Sequence, residues 1–156
     1  MEDAARASKH PSRNWAYWWR INVWKEMMES FRVNKGDSEN IGFSTTCLIS
    51  GVITFTEFKD WIYYIIDKSN DVPSYFYEIL DTNKKSEYIL GAGEIIGFYP
   101  DWDATTDELN ALDGIGYKRF ADFQSDASSK QSAATALIRN PHVENRFKAT
   151  FPFIKI

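Results

Sequence analysis

The stretch from Thr54 to Lys68 constrains the fold more than any other part of the chain. Thr54 is followed three residues later by Glu57. At that spacing the threonine hydroxyl accepts from a first-turn amide and the glutamate reaches back to the threonine amide, a capping box. Ile53 precedes the cap and Phe58 follows it by four residues, which is hydrophobic-staple spacing. Phe58, Trp61, Ile62, Ile65 and Ile66 then recur at i, i+3, i+4, i+7 and i+8, with Glu57, Lys59, Asp60, Asp67 and Lys68 between them. This is one apolar face of a helix. Its five large side chains, worth roughly 1.5–3 kcal/mol each when buried, make it a core element. Trp61 is expected at the centre of that buried face.

Most of the remaining chain has the same period. Residues 1–13 form a polar leader, and residues 14–156 are expected to form a single helical domain. A helix is expected from Ser12 or Asn14, carrying Tyr17, Ile21, Trp24, Met28 and Phe31 on one face. It should end near Asn34-Lys35-Gly36, where Gly36 suits a left-handed residue. The segment from Asp37 to Gly51 lacks clean alternation and fits a short helix, an irregular stretch or a strand. Asp71-Val72-Pro73 restarts a helix with Val72, Phe76, Ile79 and Leu80 inward. Ser86-Glu87 opens another, with Tyr88, Ala92, Ile95, Ile96 and Tyr99 on one side. Gly91, Gly93 and Gly97 weaken it by about 1 kcal/mol each and leave strands open as an alternative.

Thr105 and Glu108 form a second capping box, which starts a helix through Leu109 and Leu112 that Gly114 and Gly116 are expected to break. Gln124 to Lys130 is a polar linker. Ala133, Ala134, Leu137 and Ile138 mark a short amphipathic helix, and Asn140-Pro141 starts a last one with Val143, Phe147 and Phe151. Phe151 to Ile154 is an apolar tail that should dock. The expected architecture is mainly α, a single-domain bundle of about six helices, with a possible short β segment near 41–53 or 88–99.

Charge is distributed unevenly. Residues 36–126 hold six Lys/Arg against seventeen acids, net −11, within a chain of net −4. Such a body repels phosphate backbones and attracts basic proteins. Six Trp, eight Tyr and eleven Phe exceed what a core of this size easily hides, so some rings are expected at the surface as anchors. Cys47 is the sole cysteine, which excludes an internal disulfide. Its apolar neighbours suggest a buried, inert thiol. No apolar run approaches the length of a membrane span, and a cytoplasmic protein is expected.

Known chemical motifs fit poorly. Asp101-x-Asp103-x-Thr105 begins like a calcium loop, but Thr106 stands where glycine is wanted and Leu112 where a bidentate glutamate is wanted. Gly91-x-Gly93 lacks the third glycine of a dinucleotide turn at its proper place. His10 and His142 are the only histidines, and no nucleophile elbow accompanies them. Catalytic residues, metal ligands and cofactors are therefore expected to be absent. Carboxylate pairs for catalysis remain an open alternative, since an acidic chain always offers some.

Three strings carry a resemblance. They are Leu48-Ile49-Ser50-Gly51-x-Ile53-Thr54-x-x-Glu57-Phe58-x-x-Trp61, then Ile95-Ile96-Gly97-Phe98-x-Pro100-x-Trp102, then Leu109-x-Ala111-Leu112-x-Gly114-Ile115-Gly116-Tyr117. Together, over about residues 43–120, they resemble small bacterial immunity proteins of toxin–immunity pairs, including those of contact-dependent growth inhibition. The resemblance implies a cytoplasmic, non-catalytic protein that binds one cognate toxin domain, with no cofactor, nucleic acid or membrane involved. It transfers no contact residue. Charge and exposure instead point to Asp101, Trp102, Asp103, Asp107 and Glu108, with Trp102 as anchor. Tyr63, Tyr64 and Asp67 on the central helix are the second candidate surface. The alternative is a small helical enzyme or ligand-binding domain with a carboxylate-lined cleft.

Overall fold

The computed structural model describes residues 31–69 and 71–156. Among them are seven helices: α1 Glu39–Ile49, α2 Phe55–Lys68, α3 Tyr75–Asp81, α4 Lys85–Ile96, α5 Thr106–Arg119, α6 Lys130–Arg139 and α7 Pro141–Thr150. The polar leader and the expected first helix up to residue 30 lie outside the described residues. Residues 31–33 are not helical, so that helix does not reach Asn34. Gly36 is left-handed (φ 83°), but it serves a tight turn in which Asn34 and Asp37 exchange backbone hydrogen bonds of 2.9 and 3.1 Å. Their isolated bridge is the only β pairing among the described residues.

α2 forms as its sequence demands. The Glu57 amide donates to Thr54 Oγ1 at 3.1 Å, and the Thr54 amide donates to Glu57 Oε2 at 2.8 Å. Ile53, Phe58, Trp61, Ile62 and Ile65 are buried. Around them rings fill the interior: Phe58 lies 4.9 Å from Tyr88, and Trp61 lies 6.2 Å from Phe76 and 6.3 Å from Phe151. Such offset and edge-on pairs add about 0.5–1.5 kcal/mol each beyond the area they bury.

Both possible β segments are helices. Within 41–53 the chain forms most of α1, and its pattern was ambiguous because α1 is covered on most sides. Ile41, Gly42, Phe43, Ser44, Thr45, Cys47 and Leu48 are all buried, which leaves no polar stripe to reveal the period. Thr45 Oγ1 pairs with the Tyr88 hydroxyl at 2.7 Å, tying α1 to α4. Within 88–99, α4 runs to Ile96 and stops at Gly97, which is left-handed (φ 84°). Tyr88, Ala92 and Ile96 face inward as expected, but Tyr99 lies beyond the helix and is 84% exposed. α3 starts later than expected, at Tyr75 rather than beside Asp71. The Pro73 carbonyl accepts from the Phe76 amide at 3.1 Å in its opening turn.

Gly114 and Gly116 do not break α5, which runs through both to Arg119. A methyl group on Gly114 would lie 2.7 Å from the Ala133 carbonyl oxygen, and one on Gly116 would lie 2.5 Å from the Phe123 ring. These glycines let α6 and the following loop approach the α5 backbone, and that packing offsets their weak helix propensity. The polar segment 124–130 is also tied down. Buried Asp113 accepts from Ser125 Oγ at 2.5 Å and Ser128 Oγ at 2.7 Å, and Tyr117 donates to the Ser128 carbonyl at 2.8 Å. The tail docks through Phe151 and Ile154, while Phe153 and Ile156 stay exposed.

Candidate functional site

The loop carrying Asp101, Trp102 and Asp103 is held against α1 by a contact only glycine allows. A Cβ on Gly42 would collide with the Asp101 carbonyl oxygen. Trp102 fastens the loop from within. Its ring meets Phe43 edge-on at 4.9 Å, and the Arg146 guanidinium lies 4.6 Å from the Phe43 ring and 5.6 Å from the Trp102 ring. Trp102 is 7% exposed, so it is a core residue and not the surface anchor its acidic neighbours suggested. Its burial turns Asp101 and Asp103 outward, and both are exposed.

Asp107 and Glu108 belong to a different set. Asp107 accepts from Arg139 Nη2 at 2.6 Å, Arg139 Nε at 3.1 Å and Asn140 Nδ2 at 2.6 Å. Those bonds from Arg139 and then Asn140 bring its carboxyl down to about 2. Glu108 meets His142 Nε2 at 3.1 Å and accepts from the Thr105 amide at 3.2 Å, and the two together lower its pKa. The expected run of four acids is therefore two free ones on a loop and two that join α5 to the α6–α7 corner. Sequence spacing did not show this, because Arg139 and His142 are more than thirty residues away.

Two further acids, Glu144 on α7 and Glu57 on α2, are also paired. Glu144 lies 3.1 Å from Lys148 and 3.3 Å from Lys118. Arg119, nearly buried, meets Glu57 at 2.5 Å and ties α5 to the start of α2. Burial raises the Glu57 pKa, but the bonds from Arg119 and from the Thr54 amide outweigh it, and the net shift is downward.

The outer faces of α2 and α4 have the opposite character. On α2, Asp60, Tyr63 and Asp67 form the exposed stripe, with Tyr63 57% exposed. On α4 the stripe is Glu87, Leu90 and Glu94, with Leu90 88% exposed. In each helix an exposed apolar residue has an acid three residues before it and another four residues after it, which are surface neighbours on a helix. Among the described residues Asp60, Glu78, Asp81, Glu87, Glu94, Asp101 and Asp103 form no ion pair. Asp67 has only Lys68, at 4.0 Å. Tyr63 and Asp67 thus lie on the surface expected of them, whereas Tyr64 is half-buried between Phe31 and Phe153, 6.2 Å from each. The α4 stripe is not among the surfaces expected from the sequence. Its signal was Leu90, which falls outside the inner set Tyr88, Ala92 and Ile96.

A groove of about 580 Å³ lies between α5, α6 and α7, lined by Gly114, Tyr117, Ala134, Leu137, Ile138 and Pro141, with Lys118, Lys130 and Glu144 around it. It exists because α6 turns a different face inward from the expected one. Ala133, Ala136 and Leu137 are buried, while Ala134 is exposed and Ile138 is 81% exposed. Ala133 must face Gly114 for the two helices to close, and that choice rotates Ile138 outward.

Among the described residues no group of three or more His, Cys, Asp or Glu is arranged to hold a metal ion. Cys47 is fully buried, and burial pushes its thiol pKa well up, which suits an inert packing role. No helix among the described residues is long and apolar enough to cross a membrane. Comparison of the chain with protein-family models, with curated proteins and with solved structures finds no match in any of the three.

Proposed function

We propose that this chain is a non-catalytic immunity-type protein that binds and neutralises one cognate toxin domain, covering a basic groove of that toxin with the acidic outer faces of α2 and α4. The observation that carries this is the segregation of charge. Residues 55–103 hold ten acids against four Lys/Arg, and most of those acids have no ion-pair partner among the described residues. Residues 104–156 hold six acids against seven Lys/Arg, and Asp107, Glu108 and Glu144 are bound internally. Unpaired carboxylates around exposed Tyr63 and Leu90 suit a contact that needs both long-range attraction and apolar anchors. Asp101 and Asp103, displayed by the buried Trp102, are two further exposed acids without an ion pair among the described residues. The alternative of a carboxylate-lined cleft has less support. The free acids stand on outer helix faces, and the α5–α7 groove has a single carboxylate, Glu144, held by two lysines.

The partner to test is a toxin domain encoded beside the gene for this chain, purified in a catalytically inactive form. Stopped-flow association should be fast at low salt and slow steeply as salt rises. Reversing Asp60→Lys with Asp67→Lys should slow association by roughly tenfold while leaving the fold intact. Absence of a complex, or an association rate indifferent to salt and to the reversal, would refute the reading.

A further inference from the structure

Leu90, Tyr99 and Ile138 are the most exposed of the large apolar residues in the described chain. Two of them, Leu90 and Ile138, stand beside charges of opposite sign, acids around the first and lysines near the second. The α5–α7 groove has an apolar floor, because Gly114 draws α6 close and leaves Ala134, Leu137 and Ile138 along one wall. One end of it carries Lys130, which forms no ion pair among the described residues, and Lys118. Tyr117, the neighbour of Lys118, donates to the carbonyl of Ser128, two residues before Lys130, at 2.8 Å, which puts the two lysines at the same end. The outer stripe of α4 is the counterpart: an apolar knob, Leu90, between two acids without ion-pair partners, Glu87 and Glu94.

We propose that the groove takes the outer stripe of α4 from a second copy of this chain. With α4 antiparallel to α6, Leu90 sits over Ala134 beside Ile138, and Glu94 comes opposite Lys130. The spacing agrees, because Leu90 to Glu94 and Ala134 to Lys130 are each four residues, about 6 Å along a helix. Each copy offers one stripe and one groove, and in the proposed assembly two such contacts, exchanged between two copies, close a two-fold dimer rather than an open chain of copies. The dimer covers Glu87, Leu90 and Glu94, and a basic partner that needs α4 then competes with self-association. The proposal rests on the groove and α4 alone and stands whether or not the partner is a toxin. Its variants do not include Asp60 or Asp67, so failure here and failure of the immunity reading are separate results.

The test is sedimentation equilibrium of the full chain over a wide concentration range. A monomer–dimer equilibrium is expected. Leu90→Ser and Ile138→Asp, both at exposed positions, should each yield a monomer whose melting curve matches that of the parent at a concentration low enough to keep the parent monomeric. Lys130→Glu and Glu94→Lys should each raise the dimer Kd by roughly tenfold, and combining them should restore it. A chain that is monomeric at every concentration overturns the proposal. So does a dimer that survives both Leu90→Ser and Ile138→Asp, or charge variants that the swap fails to rescue.

Discussion

Between α2 and α4 the helices are spaced by rings, whereas between α5 and α6 one backbone lies against the other. Phe58, Trp61, Phe76 and Tyr88 fill the first region, and its outer faces carry Asp60, Glu87 and Glu94, which form no ion pair among the described residues. In the second region Gly114 stands where a side chain would collide with the Ala133 carbonyl, and Asp107, Glu108 and Glu144 reach partners on neighbouring helices. The contrast separates two uses of charge. Asp107, Glu108 and Glu144 on the α5–α7 side hold helices together, Glu57 joins α2 to α5 through Arg119, and Asp60, Glu87 and Glu94 on α2 and α4 are free to meet something else. An ion pair at the surface is worth about 0–1 kcal/mol, so pairing matters less for total stability than for deciding which acids are available.

The contrast can be broken most severely at Trp61. Trp61→Ala removes the ring that links Phe58, Phe76 and Phe151, and a loss of about 3–5 kcal/mol in urea unfolding is expected. A melting temperature within a degree or two of the parent's would contradict the ring-filled interior (a change of 1 kcal/mol moves Tm by about 2–4 °C at this size). Gly114→Ala is next. Its methyl would lie 2.7 Å from the Ala133 carbonyl, and pushing α6 away should cost about 1–3 kcal/mol. Gly91→Ala is its control in α4. There the nearest atom to a new methyl is the Ile95 Cδ1, at 3.5 Å, an ordinary contact, so the higher helix propensity of alanine should stabilise by about 0.5–1 kcal/mol. If both substitutions destabilised alike, close packing would not distinguish the two regions.

Acid should act through the paired carboxylates. Asp107 is lowered to about 2, and Glu57, Glu108 and Glu144 are lowered too, so the unfolded chain binds these protons more readily. Their contribution is complete above the unfolded carboxylate range, near pH 4–5, and is lost as pH falls through the folded values. Tm should therefore drop between about pH 5 and 2, and Asp107→Asn should flatten that drop. The smallest expected effect on stability is Asp101→Lys with Asp103→Lys, within about 0.5 kcal/mol, because both side chains point into water. The same variant should still slow association with a basic partner, and a large loss of stability would show that the loop depends on these acids.

Some of this was written in local spacing. The two capping boxes formed as Thr54–Glu57 and Thr105–Glu108 predict, because a cap closes within one turn and needs no distant partner. The stripe of α2 faced the core for the same reason: five large apolar residues on one side leave a helix only one way to turn. Net negative charge through the middle of the chain was equally legible.

Tertiary structure decided the rest. α1 hid its period because it is covered on most sides. Gly114 and Gly116 looked like breaks because helix propensity is a local preference of about 1 kcal/mol, and packing against Ala133 and Phe123 outweighed it. Trp102 went into the core, and not outward with its acidic neighbours, because Gly42 brings its loop onto Phe43. Asp107 and Glu108 were bound by Arg139 and His142, which only folding brings near. Local order followed from interactions within a turn, whereas the availability of each surface group depended on contacts between residues far apart in the chain.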